Sequence, residues 1–345
     1  MLGPGLQGLT RGEAGQHADN ILAVVGNTPL VRLRKALDGV PFRLYAKLEA
    51  LNPGGSIKDR PAHLIVSEAI ERGEIDSGTT VVEASSGNMG IGLAQVCAYH
   101  GLRFVCVVDT RTTHQNVQVM RAYGANVDLV AEPDPETGDL LQAKLNRVRQ
   151  LVETVPNSFW PNQYANLGNS RSHHRTMSEV LCQAGGRVDY LFCATSTCGT
   201  LRGCSEYVRE HGLSTRIVAV DAVGSVIFGG RSCARRLPGH GTARTPELHD
   251  PGLADRFVQV TDLDCVVGCR RLVRDEAILA GASSGGVLMG VDAFRHEIAP
   301  DSVCVMIFPD RGERYLDTVF SDEWVGEHFG ESHLDALSYP SLAAG

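Results

Sequence analysis

The chain is 345 residues long, 43% hydrophobic and 21% charged, with 32 basic against 40 acidic residues and a formal net charge of −8 at pH 7. That is ample for a buried core and, as a prior, for two domains, while the acidic balance and scattered basic residues disfavour a nucleic-acid partner. No apolar run approaches the ~20 residues needed to cross a bilayer, so a membrane is not an expected partner either.

The first twenty residues, MLGPGLQGLTRGEAGQHADN, are polar and glycine-rich. They lack the charged region and apolar stretch of a secretory signal and read as a loose arm. FRLYAKL at 42–48 is the first predicted strand. The turn NPGG at 52–55 follows, with Ser56 as the expected N-cap of a helix near 57–72. Its residues Ile57, Leu64, Ile65, Ala69 and Ile70 roughly keep a helical period. Lys58 stands at the start of that helix, where the dipole is already positive and a cation is disfavoured. The lysine is therefore either solvated and incidental, or wanted as a neutral amine.

A strand at 80–85 runs into Ser85, Ser86, Gly87 and Asn88, and a helix spans about 89–100, beginning near Met89. Backbone N–H groups at that start, with two hydroxyls and an amide, suit a carboxylate; taken alone, an ordinary N-cap is the simpler account. A strand at 103–109, a helix at 115–124, a strand at 126–131 and helices at 139–154 and 171–184 come next. The strand at 190–196 then opens into Ser196, Thr197, Cys198, Gly199 and Thr200 before a helix at 200–211. Those hydroxyls and N–H groups suit a phosphate dianion, with a capped turn as the even alternative. No Gly-Lys-Ser/Thr follows, so this is not a nucleotide P-loop. A strand at 216–222, the segment LAGASSGGVLMG at 279–290 with a helix near 284–296, and a strand at 303–308 complete the pattern. Close helix packing explains the glycines of that segment without any ligand. The ending, ESHLDALSYPSLAAG, reads as a second loose tail.

Strands joined through helices predict a doubly wound α/β fold, with ligands at the carboxyl ends of the strands. Of the ten cysteines, Cys97, Cys106, Cys193 and Cys304 fall in apolar segments and act as small hydrophobes. Cys265 and Cys269 have no second pair at zinc spacing, and His173 and His174 are adjacent, so no metal is expected. A reducing, cytoplasmic setting follows.

GNTPLVRL (26–33), NPGGSIKDR (52–60), SSGNMG (85–90), NQY (162–164), GASSGG (281–286) and DRGERYLDT (310–318) occur in that order. Over about residues 20 to 320 this resembles the cysteine synthase and cystathionine β-synthase family of fold-type II pyridoxal-phosphate enzymes. The resemblance implies two open-sheet domains with the active site between them. Residues 1–59 and 166–330 would form the larger, cofactor-phosphate-binding domain, with 1–20 as its arm. Residues 60–165 would form a smaller, mobile, carboxylate-binding domain, and 331–345 a flexible tail. Pyridoxal 5'-phosphate would be held covalently by Lys58, the catalytic residue, with Asn88 on its 3-hydroxyl and Ser196, Thr197, Cys198, Gly199 and Thr200 around its phosphate. Ser283 would face its pyridine nitrogen, with Ser284 next in line. Ser85, Ser86, Asn88 and Gln163 would bind the substrate carboxylate, in a loop completed by Gly87 and Met89. Relatives are usually homodimers acting on small amino-acid substrates.

The chain also departs from ordinary members. Met89 replaces a hydroxyl residue, Ser196 and Cys198 stand in a loop normally richer in glycine, and Tyr164 replaces phenylalanine. WPNQY (160–164), ATSTCGT (194–200), DAVGSVIFGG (221–230) and LPGHG (237–241) are most similar to the branch that makes 2,3-diaminopropionate precursors for siderophores and related natural products. That resemblance implies β-replacement of the phosphate of O-phospho-L-serine by the amine of L-glutamate. Tyr164 and Ser196 are then candidate neutral donors. Of Lys144, Arg147, Arg202, Arg235, Arg236 and Arg244, most are expected on the solvated surface and one or two at the mouth. Ser225 either lies near the entrance or stabilises a turn. The alternatives are a thiol-using enzyme acting on O-acetylserine or serine, and a non-catalytic regulatory relative.

Overall fold

The computed structural model describes residues 17–333. The arm expected at 1–20 lies outside the described residues up to 16, and the tail expected at 331–345 does so from 334 onward. In chain order the strands are β1 (Leu30–Leu33), β2 (Arg43–Leu48), β3 (Thr80–Ala84), β4 (Arg103–Asp109), β5 (Asn126–Val130), β6 (Ser158–Phe159), β7 (Tyr190–Ala194), β8 (Arg216–Ala222), β9 (Arg256–Val260) and β10 (Val303–Phe308). The helices are α1 (Asp59–Glu71), α2 (Asn88–His100), α3 (His114–Ala122), α4 (Leu140–Thr154), α5 (Leu167–Gln183), α6 (Gly199–Glu210), α7 (Asp262–Glu276), α8 (Ala282–Phe294) and α9 (Asp322–Phe329).

Two sheets result. Six strands run in the order β1-β2-β10-β7-β8-β9, parallel except for β1, which pairs antiparallel with β2. Four parallel strands run in the order β5-β4-β3-β6. Because both faces of each sheet are covered, the inner strands read as continuous apolar runs. In the larger sheet Phe192, Val218, Val220, Cys304 and Met306 face α7 and α8, while Leu191, Cys193, Ile217, Ala219 and Val305 face α5 and α6. In the smaller sheet α1, α2 and α3 pack on one face and α4 on the other. The expected doubly wound α/β class is the observed one.

Several elements were not anticipated. β1 and β9 are edge strands with mostly exposed side chains, and β6 is only two residues long. Helix α7 opens with a capping box, in which Thr261 accepts from the Asp264 N–H and the Asp264 side chain accepts from the Thr261 N–H. Its Cys265 and Cys269 are buried free thiols packed on α8. A Cβ on Gly268 would come within 2.1 Å of the Gly285 carbonyl oxygen, so the two helix backbones touch and glycine is required there.

The helix after the first glycine turn starts later than expected. Ser56 is not its N-cap: its Oγ accepts from the Lys58 N–H at 3.2 Å, and its backbone bridges to Asp310. Lys58 itself takes the N-cap position of α1. The turn is held instead by Asp59, whose carboxylate accepts from the Gly54 N–H at 2.6 Å.

Candidate active site

A cavity of about 250 Å³ opens where the carboxyl ends of both sheets face each other. Its wall contains Lys58, Ser85, Ser86, Gly87, Asn88, Met89, Gln163, Tyr164, Ser196, Thr197, Cys198, Gly199, Thr200 and Ser283. Every site residue expected from the sequence is thus brought to one place. Ser284 is not in the wall; it is fully buried behind, and its Oγ has no partner.

Lys58 is half-buried and aims its amine at Thr197 Oγ1, 3.4 Å away. Loss of water lowers its pKa from the usual lysine range to about 8, against a small opposite pull from the neighbouring Cys198. It pairs with no carboxylate among the described residues, so a larger share of the amine is neutral near physiological pH than for an ordinary lysine.

Two helix starts flank it. Ser85 Oγ accepts from the Gly90 N–H at 2.9 Å and so caps α2 from inside the loop. Ser86 Oγ donates to Asp109 at 3.1 Å and accepts from Lys144 Nζ at 2.7 Å. Lys144 also pairs with Asp109 at 2.6 Å and is 6% exposed, a buried cation in the cavity wall rather than a surface charge. Burial pushes the Asp109 carboxyl up, but Lys144 more than offsets this and holds it below its usual range. Gln163 donates to the Ala84 carbonyl at 3.0 Å and is fixed from behind by the buried Glu83, which accepts from its N–H at 3.1 Å.

The second start is α6. Cys198, its N-cap, has φ +64°, a left-handed conformation that costs a side-chain-bearing residue and that glycine adopts freely. Gly199 follows for a steric reason: a Cβ there would lie 2.2 Å from Asn169 Oδ1. Thr200 Oγ1 rests 3.3 Å from His173 Nε2, a ring that burial keeps neutral.

Asn88 donates to Asp310 Oδ2 at 2.7 Å, and Arg314 donates to Asn88 Oδ1. Asp310 also accepts from the Tyr315 hydroxyl at 2.8 Å, and its Oδ1 is buried without a partner. Burial raises the Asp310 carboxyl, and its donors only partly oppose this. Asp310, Arg314, Tyr315 and Thr318 all line the cavity and had no assigned role, although their segment, DRGERYLDT, had been singled out as a motif.

The remaining cations sort clearly. Arg147 pairs with Asp128, Arg202 pairs with Glu206, and Arg235 donates to the His240 carbonyl. Arg236 stands exposed outside the cavity, and Arg244 lines a neighbouring one. Ser225 is a turn residue, accepting from the Thr242 N–H at 3.2 Å, and is not in the wall. Chemically, the arrangement offers an amine of lowered pKa, a hydroxyl at Ser283 and two anion-receiving turns, one backed by the Lys144–Asp109 pair.

A family model described as pyridoxal-phosphate dependent enzyme matches residues 21–310. An N-(2-amino-2-carboxyethyl)-L-glutamate synthase of Ralstonia nicotianae is 43% identical over 309 residues, covering 89% of this chain and 91% of that one. A protein of the same name from Cupriavidus metallidurans is 42% identical over 311 residues, with the same coverage of each. Among solved structures, an O-acetylserine dependent cystathionine β-synthase from Helicobacter pylori aligns with a TM-score of 0.81 and 28% identity, over 88% of this chain and 98% of that one.

Proposed function

The chain belongs to the pyridoxal-phosphate-dependent enzyme family, in its fold-type II architecture, and from that premise we propose that it joins O-phospho-L-serine to L-glutamate. The products are N-(2-amino-2-carboxyethyl)-L-glutamate and phosphate, a step toward 2,3-diaminopropionate for siderophores or related natural products. The coarser activity, β-replacement by a pyridoxal-phosphate enzyme, is that of the family and its relatives.

The cavity fits the cofactor. Its lysine has a depressed pKa and no carboxylate partner, its α6 turn presents donors to a dianion, and Asp310 keeps an unpartnered buried oxygen beside Asn88. Lys58 would hold the group, Ser196 to Thr200 its phosphate, Asn88 its ring hydroxyl and Ser283 its ring nitrogen. When bound, pyridoxal phosphate supplies an aldehyde for an amine and a conjugated ring that delocalises the electron pair left at a substrate α-carbon. A neutral Ser283 hydroxyl, in place of a carboxylate, keeps that ring a weaker electron sink, which favours loss of a β-substituent over transamination.

The side chains divide the work. The α2 start, with Ser86, Asn88 and Gln163, receives the substrate carboxylate and so orients the Cα–H bond toward Lys58. Lys58 as free amine takes the α-proton, the C–O bond to phosphate breaks, the glutamate amine forms a bond to the β-carbon and gives up a proton that the released phosphate takes, and Lys58 returns its proton to Cα. Lys144, with Tyr164 and Ser196, receives the departing phosphate. Carboxylate binding draws the smaller unit, about 60–165, over the site and excludes water. A cytoplasmic homodimer is part of the same proposal.

The observation that carries this reading is Lys144 in the same cavity as Lys58: its ammonium spends two of its three N–H groups on Asp109 and Ser86, and the third is left for a departing phosphate. The test is a spectral titration of the holoenzyme with O-phosphoserine, then the mass of the product after adding glutamate. If only O-acetylserine with sulfide turns over, the chain is a thiol-using enzyme instead.

A further inference from the structure

A second cavity, about 160 Å³, lies beside the first, and Tyr164 stands in the wall of both. Leu141 and Leu145 of α4 and the ring of Trp160 form its apolar sides, and Arg149 and Arg244 stand at its rim. The arginines come from opposite sides of the seam: Arg149 is on α4 of the smaller sheet unit, and Arg244 is on the segment that follows β8. Neither is in a salt bridge among the described residues. Arg149 donates to the Asn146 amide oxygen at 2.8 Å, and Arg244 donates to that of Gln142 at 2.9 Å. By contrast Arg147, two residues earlier on α4, is tied to Asp128. One carboxylate, Glu247, also lines the rim, leaving the wall with a net positive charge.

A pocket with an apolar middle and two guanidinium groups free of carboxylates matches a short alkyl chain ending in a carboxylate. The first cavity already has its own receptors for the α-carboxylate and for the leaving group. We infer that the second cavity is the subsite for the side chain of the amine nucleophile, a dicarboxylic α-amino acid. Its methylenes lie against Leu141, Leu145 and Trp160, its distal carboxylate meets Arg149 and Arg244, and its amine reaches the β-carbon past Tyr164. The inference rests on the reading that the enzyme takes glutamate, and it names what selects glutamate over an amine without the second charge.

The experiment is steady-state kinetics of the holoenzyme with both substrates varied, for the wild type, Arg149→Ala, Arg244→Ala, the double variant and Arg244→Lys. L-glutamine serves as the uncharged competitor. The double variant is expected to raise KM for glutamate by about tenfold or more, while KM for O-phosphoserine moves less than about twofold. The preference for glutamate over glutamine falls with it, and Arg244→Lys restores part of it. An unchanged KM for glutamate overturns the inference, and so does an equal rise in both KM values. A wild type that forms no C–N product with glutamate overturns this inference and the proposed function together. A wild type that forms it, with variants unaffected, overturns the subsite alone.

Discussion

Arg60 and Glu49 form a buried, two-pronged ion pair with contacts of 2.6 and 2.8 Å, one on each side of Lys58 in the sequence. Arg60 also grips Glu179 of α5 at 2.7 Å, and Glu179 in turn pairs with the fully buried Lys47 at 2.8 Å. Asn52 of the glycine turn donates to Glu49 at 2.9 Å, so the loop carrying Lys58 is fastened to β2 and α5 by charge.

Arg60→Met leaves Glu49 buried with only Thr28 and Asn52 as donors nearby. Removing one partner of a buried pair is expected to cost about 3–5 kcal/mol in denaturant unfolding. A loss below about 1 kcal/mol would show that the pair is more hydrated than its burial implies.

With its amine at about 8, Lys58 is mostly protonated at pH 6.5 and mostly free at pH 9. The rate at which apoenzyme captures pyridoxal phosphate should climb about tenfold per pH unit below that value and level off above it. Stopped-flow absorbance measures it. A rise that continues toward the ordinary lysine range would contradict the burial described for this side chain. Borohydride reduction of the holoenzyme should leave the pyridoxyl label on Lys58, and Lys58→Ala should lose at least about 10³-fold in turnover.

Lys144→Met removes the ammonium beside Ser86 and leaves Asp109 less compensated, so some general loss is expected. The informative quantity is the ratio. kcat/KM for O-phosphoserine should fall at least about tenfold further than for O-acetylserine, the size expected for losing a charge-assisted contact. Equal losses on the two substrates would remove the basis for a phosphate leaving group.

Two buried carboxyls titrate together. Burial pushes Glu83 from its ordinary value near 4.5 up to about 7, and Asp59 from near 3.8 up to about 7, with backbone donors only partly opposing. Between those values the folded state keeps protons that the unfolded state has lost, so stability falls as pH rises from about 4.5 to about 7 and then levels. Each group contributes on the order of 3 kcal/mol to that fall. Glu83→Gln should roughly halve the slope in urea melts across this window; an unchanged slope would mean that Glu83 is ionised in the fold.

Much of the site was legible because parallel strands covered on both faces are apolar runs that end abruptly in small polar turns. Lys58 stood out through an electrostatic conflict at a helix start that any reader of the chain can see. Lys144 was one of six cations of which one or two were expected at the mouth, and its neighbours Leu141, Leu145 and Val148, which mark the buried side of α4, could have singled it out. Helix α7 was missed although Thr261 and Asp264 carry a capping signature. Asp310 is different: its partner Asn88 lies 222 residues away, and only the folded chain brings the two together. Ser56 was misread as a cap because nothing local reveals that Asp310 claims its backbone.

Among the described residues the strand at 303–308 is the last of the larger sheet in chain order, yet it sits inside that sheet, between β2 and β7. On the ribosome, β2, which leads into the segment bearing Lys58, therefore waits for its parallel neighbour until residue 308 has emerged. The sheet that sets Lys58 opposite the turn at 196–200 is incomplete before then, so capture of vitamin B6 is expected only after that strand has inserted.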